Sequence, residues 1–491
     1  MRQFTRRSFL ASSCAVGTAA LSCSKGGKTK QVNRTRPNIL FLFTDDQRFD
    51  TIRALGNTEI KTPAMDELVS RGMVFSNAYI MGAFSAAVCM PSRAMLMTGR
   101  HLFHVPGNGS SIPADFAVMP ETLRQNGYYT WQAGKWHNGR EAFARSFDDS
   151  GHIMFGGMSN HYDIPTYDFD PSGQYENNRG YHAQGRHSST LYANDAISFL
   201  GSYHGDDPFF MFVSFQAPHD PRNMPDEYRA MYDPDLIPLP DNFMTEHPFD
   251  NGELDVRDEN LAAHPRVPSE IRQNIADYYA MITHLDAEIG RVIQALRDSG
   301  RFDNTVIILA GDNGLAVGQH GLLGKQNLYD HSVHVPFIMA GPGITPGMKS
   351  DTLCYLYDIF PTLCDMLDIG IPGTVDGISL APVLGGGSIE GRESLYFAYK
   401  NFQRALRTDR WKLILYNVDG ARHTQLFDLQ NDPRETENLA DSGEHRQIVT
   451  DMTARLKRWF ADIGDPVDLD KPDWGVEKIP SWQELMEQRK K

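Results

Sequence analysis

Cys89 lies in the run Ala-Ala-Val-Cys-Met-Pro-Ser-Arg-Ala-Met-Leu-Met-Thr-Gly-Arg-His, residues 86–101. Pro91 suits a first helical turn, where a missing N–H costs nothing. Ser92 and Arg93 place a hydroxyl and a guanidinium beside the thiol, and Gly99 supplies a stop. A helix N-terminus offers unpaired N–H groups and the positive end of the dipole, so an oxyanion beside Cys89 is welcome there. Taken alone, a cysteine before a core helix reads equally as a buried apolar residue. Asp45-Asp46 and Asp312-Asn313 are pairs of oxygen donors. Neighbouring carboxylates repel unless a cation lies between them, and calcium accepts mixed carboxylate and amide oxygens. Either pair alone could be a solvated turn or a helix cap.

Four apolar runs carry these groups. Pro37–Thr44 ends in Asp45-Asp46, and Tyr128–Gly134 runs into Lys135-Trp136-His137. Phe209–Phe215 runs into Gln216-Ala217-Pro218-His219, and Val306–Ala310 into Gly311-Asp312-Asn313. Continuous apolar runs of this length fit strands covered on both faces. In an open, mostly parallel sheet the carboxyl edge is where ligands bind, so the four runs converge on one edge. Helical stretches separate them: one capped by Thr62-Pro63, one from Pro120 to Asn126, and a long amphipathic one from Ile271 to Arg297. The alternation predicts an α/β fold with a large, mostly parallel sheet flanked by helices. Past Pro382–Ser388, short strands at Ser394–Ala398, Arg404–Arg407, Trp411–Tyr416 and Thr424–Leu429 precede a helix from Arg446 to Ile463. The expected division is 1–35 leader and linker, 36–385 catalytic α/β domain, and 386–491 smaller α+β domain.

Cys-x-Pro-Ser-Arg followed by Leu-Met-Thr-Gly-Arg strongly resembles the signature of the type I sulfatases, in the alkaline phosphatase superfamily. Gln425–Leu429 and Asn431–Leu439 also resemble that family's C-terminal region, so the likeness covers nearly all of the chain after the linker. The resemblance implies the alkaline phosphatase-like α/β fold with a C-terminal domain of antiparallel sheet and helix. It implies that a formylglycine-generating or sulfatase-maturing enzyme oxidises Cys89 to formylglycine (3-oxoalanine), whose hydrate is the nucleophile. It implies one Ca2+ held by Asp45, Asp46, Asp312, Asn313 and the modified Cys89. Arg93 and Lys135 then hold the hydrate oxygens, and His137 hydrogen-bonds one hydroxyl. His219 protonates the leaving alcohol, and Lys325 is the second cation on the sulfate. One hydroxyl attacks sulfur, and the second, deprotonated with help from His137, expels sulfate; a thiol has no second oxygen for that step. A phosphonate or phosphate monoester hydrolase of the same superfamily is the alternative activity, and choline or aryl sulfates are alternative substrates. A binding protein on a spent hydrolase scaffold would have lost Cys89, an aspartate ligand or His219, and all are present.

The chain has 491 residues, a formal charge of −15 and five cysteines. The charge argues against a general nucleic-acid binder, while a local basic pocket remains compatible with an anionic small substrate. Two cysteines, Cys14 and Cys23, lie in an N-terminal segment with the twin-arginine pattern Thr5-Arg6-Arg7-Ser8-Phe9-Leu10 and a short apolar run from Ala15 to Leu21. That run is too short to span a bilayer. The expectation is export to the periplasm or cell surface, with simple cleavage and a lipid anchor at Cys23 both open. Cys354 and Cys364 read as buried thiols, so no disulfide framework is expected.

The segment from Gly151 to Thr190 lacks aliphatic periodicity and is crowded with histidine, tyrosine and aspartate. Long irregular insertions of this kind are functional or disordered, and aromatic faces beside donors suit hydroxyl-rich rings. With Lys400–Arg407 it is expected to wall a sugar subsite above Cys89, with His161, His187 and Arg404 touching a sulfated polysaccharide fragment. A surface loop packed on itself is the alternative.

Overall fold

The computed structural model describes residues 36–176 and 180–476; the leader motif and Cys23 lie outside the described residues. The described residues from Arg36 onward belong to one compact unit. Eight strands build its main sheet: β1 (Asn38–Thr44), β2 (Gly72–Phe75), β3 (Tyr129–Lys135), β4 (Asp149–Met154), β5 (Phe209–Ser214), β6 (Thr305–Gly311), β7 (Phe337–Ala340) and β8 (Met348–Ser350). Their order across the sheet is β8-β2-β7-β6-β1-β5-β3-β4. The five strands β6, β1, β5, β3 and β4 run parallel, and β7 is antiparallel to both its neighbours. The short buried run Phe-Ile-Met-Ala reads the same in either direction, which is why its sense was not legible in sequence.

Every residue of β1 is buried. Ile39, Phe41 and Phe43 face one core, while Leu40 and Leu42 face the other, as alternate side chains of a strand must. Helices cover both faces. The second core takes α1 (Pro63–Arg71), the helix Ser188–Ser202 and the 31-residue helix Pro268–Asp298. The first takes α2 (Cys89–Thr98), whose Met95, Leu96 and Met97 are almost wholly buried. At the end of α2, Gly99 adopts φ 66°, and its carbonyl accepts from the backbone N–H groups of Asp376 and Gly377 at 2.9 and 3.0 Å. A Cβ at Gly99 would stand 2.8 Å from Val375 Cγ1, so both the left-handed cap and the packing require glycine.

The second sheet contains β9 (Leu395–Tyr399), β10 (Gln403–Arg407), β11 (Trp411–Val418) and β12 (Ala421–Asp428), all antiparallel, followed by the helix Arg446–Ile463. Its open edge is completed by Gly82–Ala83, which pairs parallel with β9 a few residues before Cys89. The segment from Gly151 to Thr190 contains more order than its composition showed. Asp163–Thr166 and Tyr181–Gln184 pair as antiparallel strands, and Phe155, Tyr167 and Tyr175 pack edge to face. Cys354 and Cys364 are buried free thiols, as their apolar surroundings predict.

Candidate active site

Parallel register brings the expected groups together. Thr44 pairs with Gly311, so Asp45 and Asp312 leave the sheet side by side, while Phe43 and Gly134 both pair with Ser214. α2 then projects Cys89 and Arg93 over this edge. Cys89 Sγ lies 3.4 Å from Lys135 Nζ and 3.6 Å from His137 Nδ1. Arg93 donates from Nε to Asp312 Oδ2 at 2.8 Å and from Nη1 to Ser214 Oγ at 2.6 Å and to the Lys135 carbonyl at 3.1 Å. Lys135 Nζ pairs with Asp45 Oδ2, and Lys325 Nζ donates to Asp46 Oδ1 at 2.6 Å. Asn313 Nδ2 donates to the same Asp46 oxygen at 2.6 Å, and the Asp46 N–H donates to Asp312 Oδ1 at 3.0 Å. His219 Nε2 stands 3.5 Å from Asp46 Oδ2. Its Nδ1 lies 2.8 Å from the Asp220 carbonyl, which only a protonated Nδ1 satisfies.

Three carboxylates and three permanent cations are thus closed into one buried cluster. Burial alone would raise the Asp45 pKa, but Lys135, His219, Arg93 and Lys325 hold it well below the carboxylate range. Asp312 moves the other way, pushed up to about 7 by burial and by Asp45. The arrangement fits a hard cation: Asp45 Oδ1 and Asn313 Oδ1 are buried without a hydrogen-bond partner among the described residues. Asp45, Asp46 and His219, and likewise Asp45, Cys89 and Asp312, bring their donor atoms within 4.8 Å of one another. Burial pushes the Cys89 thiol above its usual value despite Lys135 and Lys325, so the unmodified side chain is a neutral thiol and a weak nucleophile. Burial, Lys135 and Arg93 drive His137 well below the usual imidazole range, leaving a neutral ring against the thiol. Asp46 and His137 both occupy left-handed backbone, φ 65° and 77°, where a non-glycine residue costs roughly 1–3 kcal/mol. Such strain at two strand exits re-aims side chains toward the common centre.

The three expected substrate contacts lie in the protein interior. His161 and His187 are buried and stacked on one another at 4.8 Å. His161 bridges Ser188 Oγ at 2.7 Å and the His219 carbonyl at 2.8 Å, and His187 caps the helix that starts at Ser188 by accepting from the Ser189 N–H at 3.1 Å. They brace the strand exit that carries His219, and their ring nitrogens bond to the protein. Arg404 is equally buried, with Nε on Asp465 Oδ2 at 2.6 Å and Nη1 on the Lys400 carbonyl at 2.6 Å. Lys400 pairs with the buried Glu253. A polar, aromatic stretch looks alike in sequence whether its groups satisfy each other or face solvent. Ser214 and Gly157 were not foreseen. Ser214 is a strand residue with no motif, and only its 2.6 Å bond to Arg93 marks it. A Cβ at Gly157 would stand 3.0 Å from His137 Nε2.

A doubly covered, mostly parallel sheet that gathers a thiol, two histidines, three carboxylates and three cations at its carboxyl edge fits an α/β-class enzyme that acts on an anionic ester. The chain belongs to the sulfatase family, whose model matches residues 37–369, and it is a sulfuric ester hydrolase. A second model, for the C-terminal region of N-sulphoglucosamine sulphohydrolase, matches residues 318–462. The chain is 26% identical to N-acetylglucosamine-6-O-sulfatase of Bacteroides thetaiotaomicron, over 89% of each protein. It is 28% identical to the ulvan-active sulfatase of Formosa agariphila, over 91% of this chain and 85% of the relative. Its fold is similar to that of a protein solved in complex with its substrate D-glucosamine-2-N,6-O-disulfate, with a TM-score of 0.75, 24% identity, and coverage of 90% of this chain and 100% of the other. It is also similar to the phosphonate monoester hydrolase of Agrobacterium radiobacter, with a TM-score of 0.71, 23% identity, and coverage of 87% and 96%.

The close approach of Gly157 to His137 yields a matched test. Gly157→Ala is expected to lower kcat roughly tenfold by displacing His137, since small misplacements at a reacting centre are costly. Gly156→Ala, whose Cβ meets nothing nearer than Met154 Cε at 3.7 Å, should have little effect. Equal kinetics for the two variants would remove Gly157 from any positioning role.

Proposed function

We propose that the protein hydrolyses a sulfate ester of a carbohydrate, using Cys89 matured to formylglycine and one Ca2+ held by Asp45, Asp46, Asp312 and Asn313. The observation that carries this reading is the Cys89 thiol, 3.4 Å from Lys135 Nζ, in a cluster where Asp45 Oδ1 and Asn313 Oδ1 are buried without a hydrogen-bond partner among the described residues. Relatives named for an aminosugar sulfate and for ulvan support the carbohydrate substrate. Hydrated formylglycine would supply two oxygens on one carbon, which a thiol lacks, and calcium would supply charge neutralisation at the sulfate.

The remaining roles fall to the chain's own side chains. Arg93 and Lys135 hold the oxygens on residue 89, and neutral His137 accepts a proton from one of them. Lys325 binds the sulfate with Arg93 and Lys135. Donors of this density oppose the charge that gathers on sulfuryl and leaving oxygens. His219 keeps Nδ1 on the Asp220 carbonyl and gives the Nε2 proton to the departing alcohol. His219→Ala is therefore expected to slow a sugar sulfate by roughly 10²–10⁴-fold and a nitrophenyl sulfate far less, because protonation matters only when the leaving oxygen is basic. Equal losses on both substrates would show that His219 is not the acid.

Release of sulfate from a hexose sulfate by protein made with a maturing enzyme, with peptide mass spectrometry across Val88–Arg93, tests the whole reading. Active protein carrying only cysteine would refute the modification. Faster turnover of an aryl phosphonate than of its matched aryl sulfate would favour the alternative ester. The twin-arginine pattern supports export, and fractionation with lipid labelling separates a cleaved form from one anchored at Cys23. Among the described residues no helix is long and apolar enough to cross a membrane.

A further inference from the structure

Lys325 stands on a stretch with no regular structure to hold it. Between the end of β6 at Gly311 and the short helix Asp330–Val333 the chain forms neither helix nor strand, yet every residue there is buried. Backbone N–H groups buried in this way must find partners elsewhere in the fold. At three consecutive residues, ending with Lys325 itself, the partners are side chains. Glu259 Oε2 accepts from the Leu323 N–H at 2.8 Å and Glu259 Oε1 from the Gly324 N–H at 2.9 Å. Gln326 Oε1 accepts from the Lys325 N–H at 3.0 Å, and Gln326 Nε2 donates to Asp258 Oδ2 at 2.8 Å. Arg266 closes the far side of Glu259. Its Nη2 pairs with Glu259 Oε2, its Nη1 donates to the Glu259 and Ala262 carbonyls at 2.8 and 3.0 Å, and its Nε donates to the Gly321 carbonyl at 3.0 Å. Glu259 and Arg266 are both almost wholly buried. The fit is close, since a Cβ at Gly324 would stand 3.0 Å from Glu259 Oε1.

We propose that Glu259, closed by Arg266, is a positioning residue for Lys325: it fixes the backbone at Leu323 and Gly324 and so sets where the Lys325 ammonium meets the sulfate. Among the described residues the Glu259 carboxylate bonds only to those two N–H groups and to Arg266, so any influence on the chemistry passes through the backbone. A carboxylate suits the task because its two oxygens accept two N–H groups and a guanidinium together, and charge-assisted bonds are the strong ones. The planar fork of Arg266 holds that carboxylate in place and ties it to Gly321, at the start of the same turn. Lys325 then arrives at Asp46 Oδ1, 2.6 Å away, from a fixed base. A long, flexible side chain on an irregular stretch needs such a base, because small misplacements at a reacting centre are costly. Asp258 also holds this turn, through Gln326, but its charge acts on Lys325 directly as well. Glu259 therefore separates position from charge. The inference rests on the sulfate-ester reading, in which Lys325 binds the sulfate.

Two measurements on the mature protein test it: hydrolysis of 4-nitrophenyl sulfate and calorimetric titration with inorganic sulfate. Glu259→Gln keeps the shape but turns an amide NH2 toward one of the two backbone donors. It is expected to raise KM about tenfold with a much smaller change in kcat, and to weaken inorganic sulfate in the same proportion. The charge of Arg266 left behind would by itself favour an anion, so weaker sulfate binding reports position. In a Lys325→Ala background, Glu259→Gln should change kcat/KM by less than about twofold, because the group it positions is gone. Arg266→Lys keeps the charge but loses the fork. It should show the same pattern at severalfold, and it carries the test if Glu259→Gln does not fold. Additive effects of Glu259→Gln and Lys325→Ala, or KM and sulfate affinity unchanged in both Glu259→Gln and Arg266→Lys, would overturn the proposal. Failure of both variants to fold would overturn it too, because that is the mark of a pair that holds the fold rather than Lys325. No sulfate release by formylglycine-bearing wild-type protein would instead defeat the underlying sulfate-ester reading, and the sulfate titrations would still decide whether Glu259 positions Lys325.

Discussion

Cys89→Ala protein is expected to fold, melt within a few degrees of wild type, and lose sulfate-ester hydrolysis by at least about 10⁴-fold, the scale seen when a nucleophile is removed. The stability side follows from packing. Cys89 is 3% exposed but its sulfur makes only long contacts, 3.4 Å to Lys135 and 3.6 Å to His137. Truncation removes one atom and leaves the pairs of Arg93 with Asp312 and of Lys325 with Asp46 in place. The activity side follows from the thiol itself. Burial raises its pKa, so wild-type protein made without a maturing enzyme should be nearly as inactive as the variant. Sulfate release from an aryl sulfate, measured beside peptide mass spectrometry of residues 88–93, separates the cases. Full activity in unmodified protein would mean that a thiolate can serve, against the charge state the site imposes.

The sequence shows the strands and the residues at their ends, but not the contacts between distant side chains. β1, β3, β5 and β6 are apolar runs whose burial admits one reading, and parallel pairing then carries Asp45, Lys135, His219 and Asp312 to one edge without further information. The direction of β7 and the capture of Gly82–Ala83 by the second sheet depend on pairings that no local period encodes. His161, His187 and Arg404 show the same limit in side chains. The partners of His161 and Arg404, namely Ser188, the His219 carbonyl and Asp465, lie 27 to 61 residues away, so polarity alone marked these residues and their protein partners were not legible.

Removing the metal is expected to be nearly as damaging as removing the thiol. In this cluster Lys135 rests on Asp45 and Lys325 on Asp46, so both lysines are spent on the carboxylates that would hold an ion. A cation that takes those oxygens competes with the lysines and leaves their ammonium groups for sulfate. Stripping with a chelator is therefore expected to cost roughly 10³-fold in kcat/KM, since a metal's share of charge stabilisation is several kcal/mol. Ca2+ should restore the activity, and at about 100 times its Kd it should stabilise the fold by about 2.7 kcal/mol. Asn313→Ala isolates the ligand role. The Oδ1 it removes has no hydrogen-bond partner among the described residues, and the Asp46 oxygen that accepts from Asn313 Nδ2 keeps its bond from Lys325. Asp312→Ala is less clean, because it strips the carboxylate from Arg93 Nε and from the Asp46 N–H together. Elemental analysis should find one calcium per wild-type chain and less in Asn313→Ala, with roughly 10–100-fold weaker binding by titration, the range for losing one supporting group of a metal site. A metal-free wild-type protein with full activity would show that the three cations suffice and that the two lone oxygens serve another purpose.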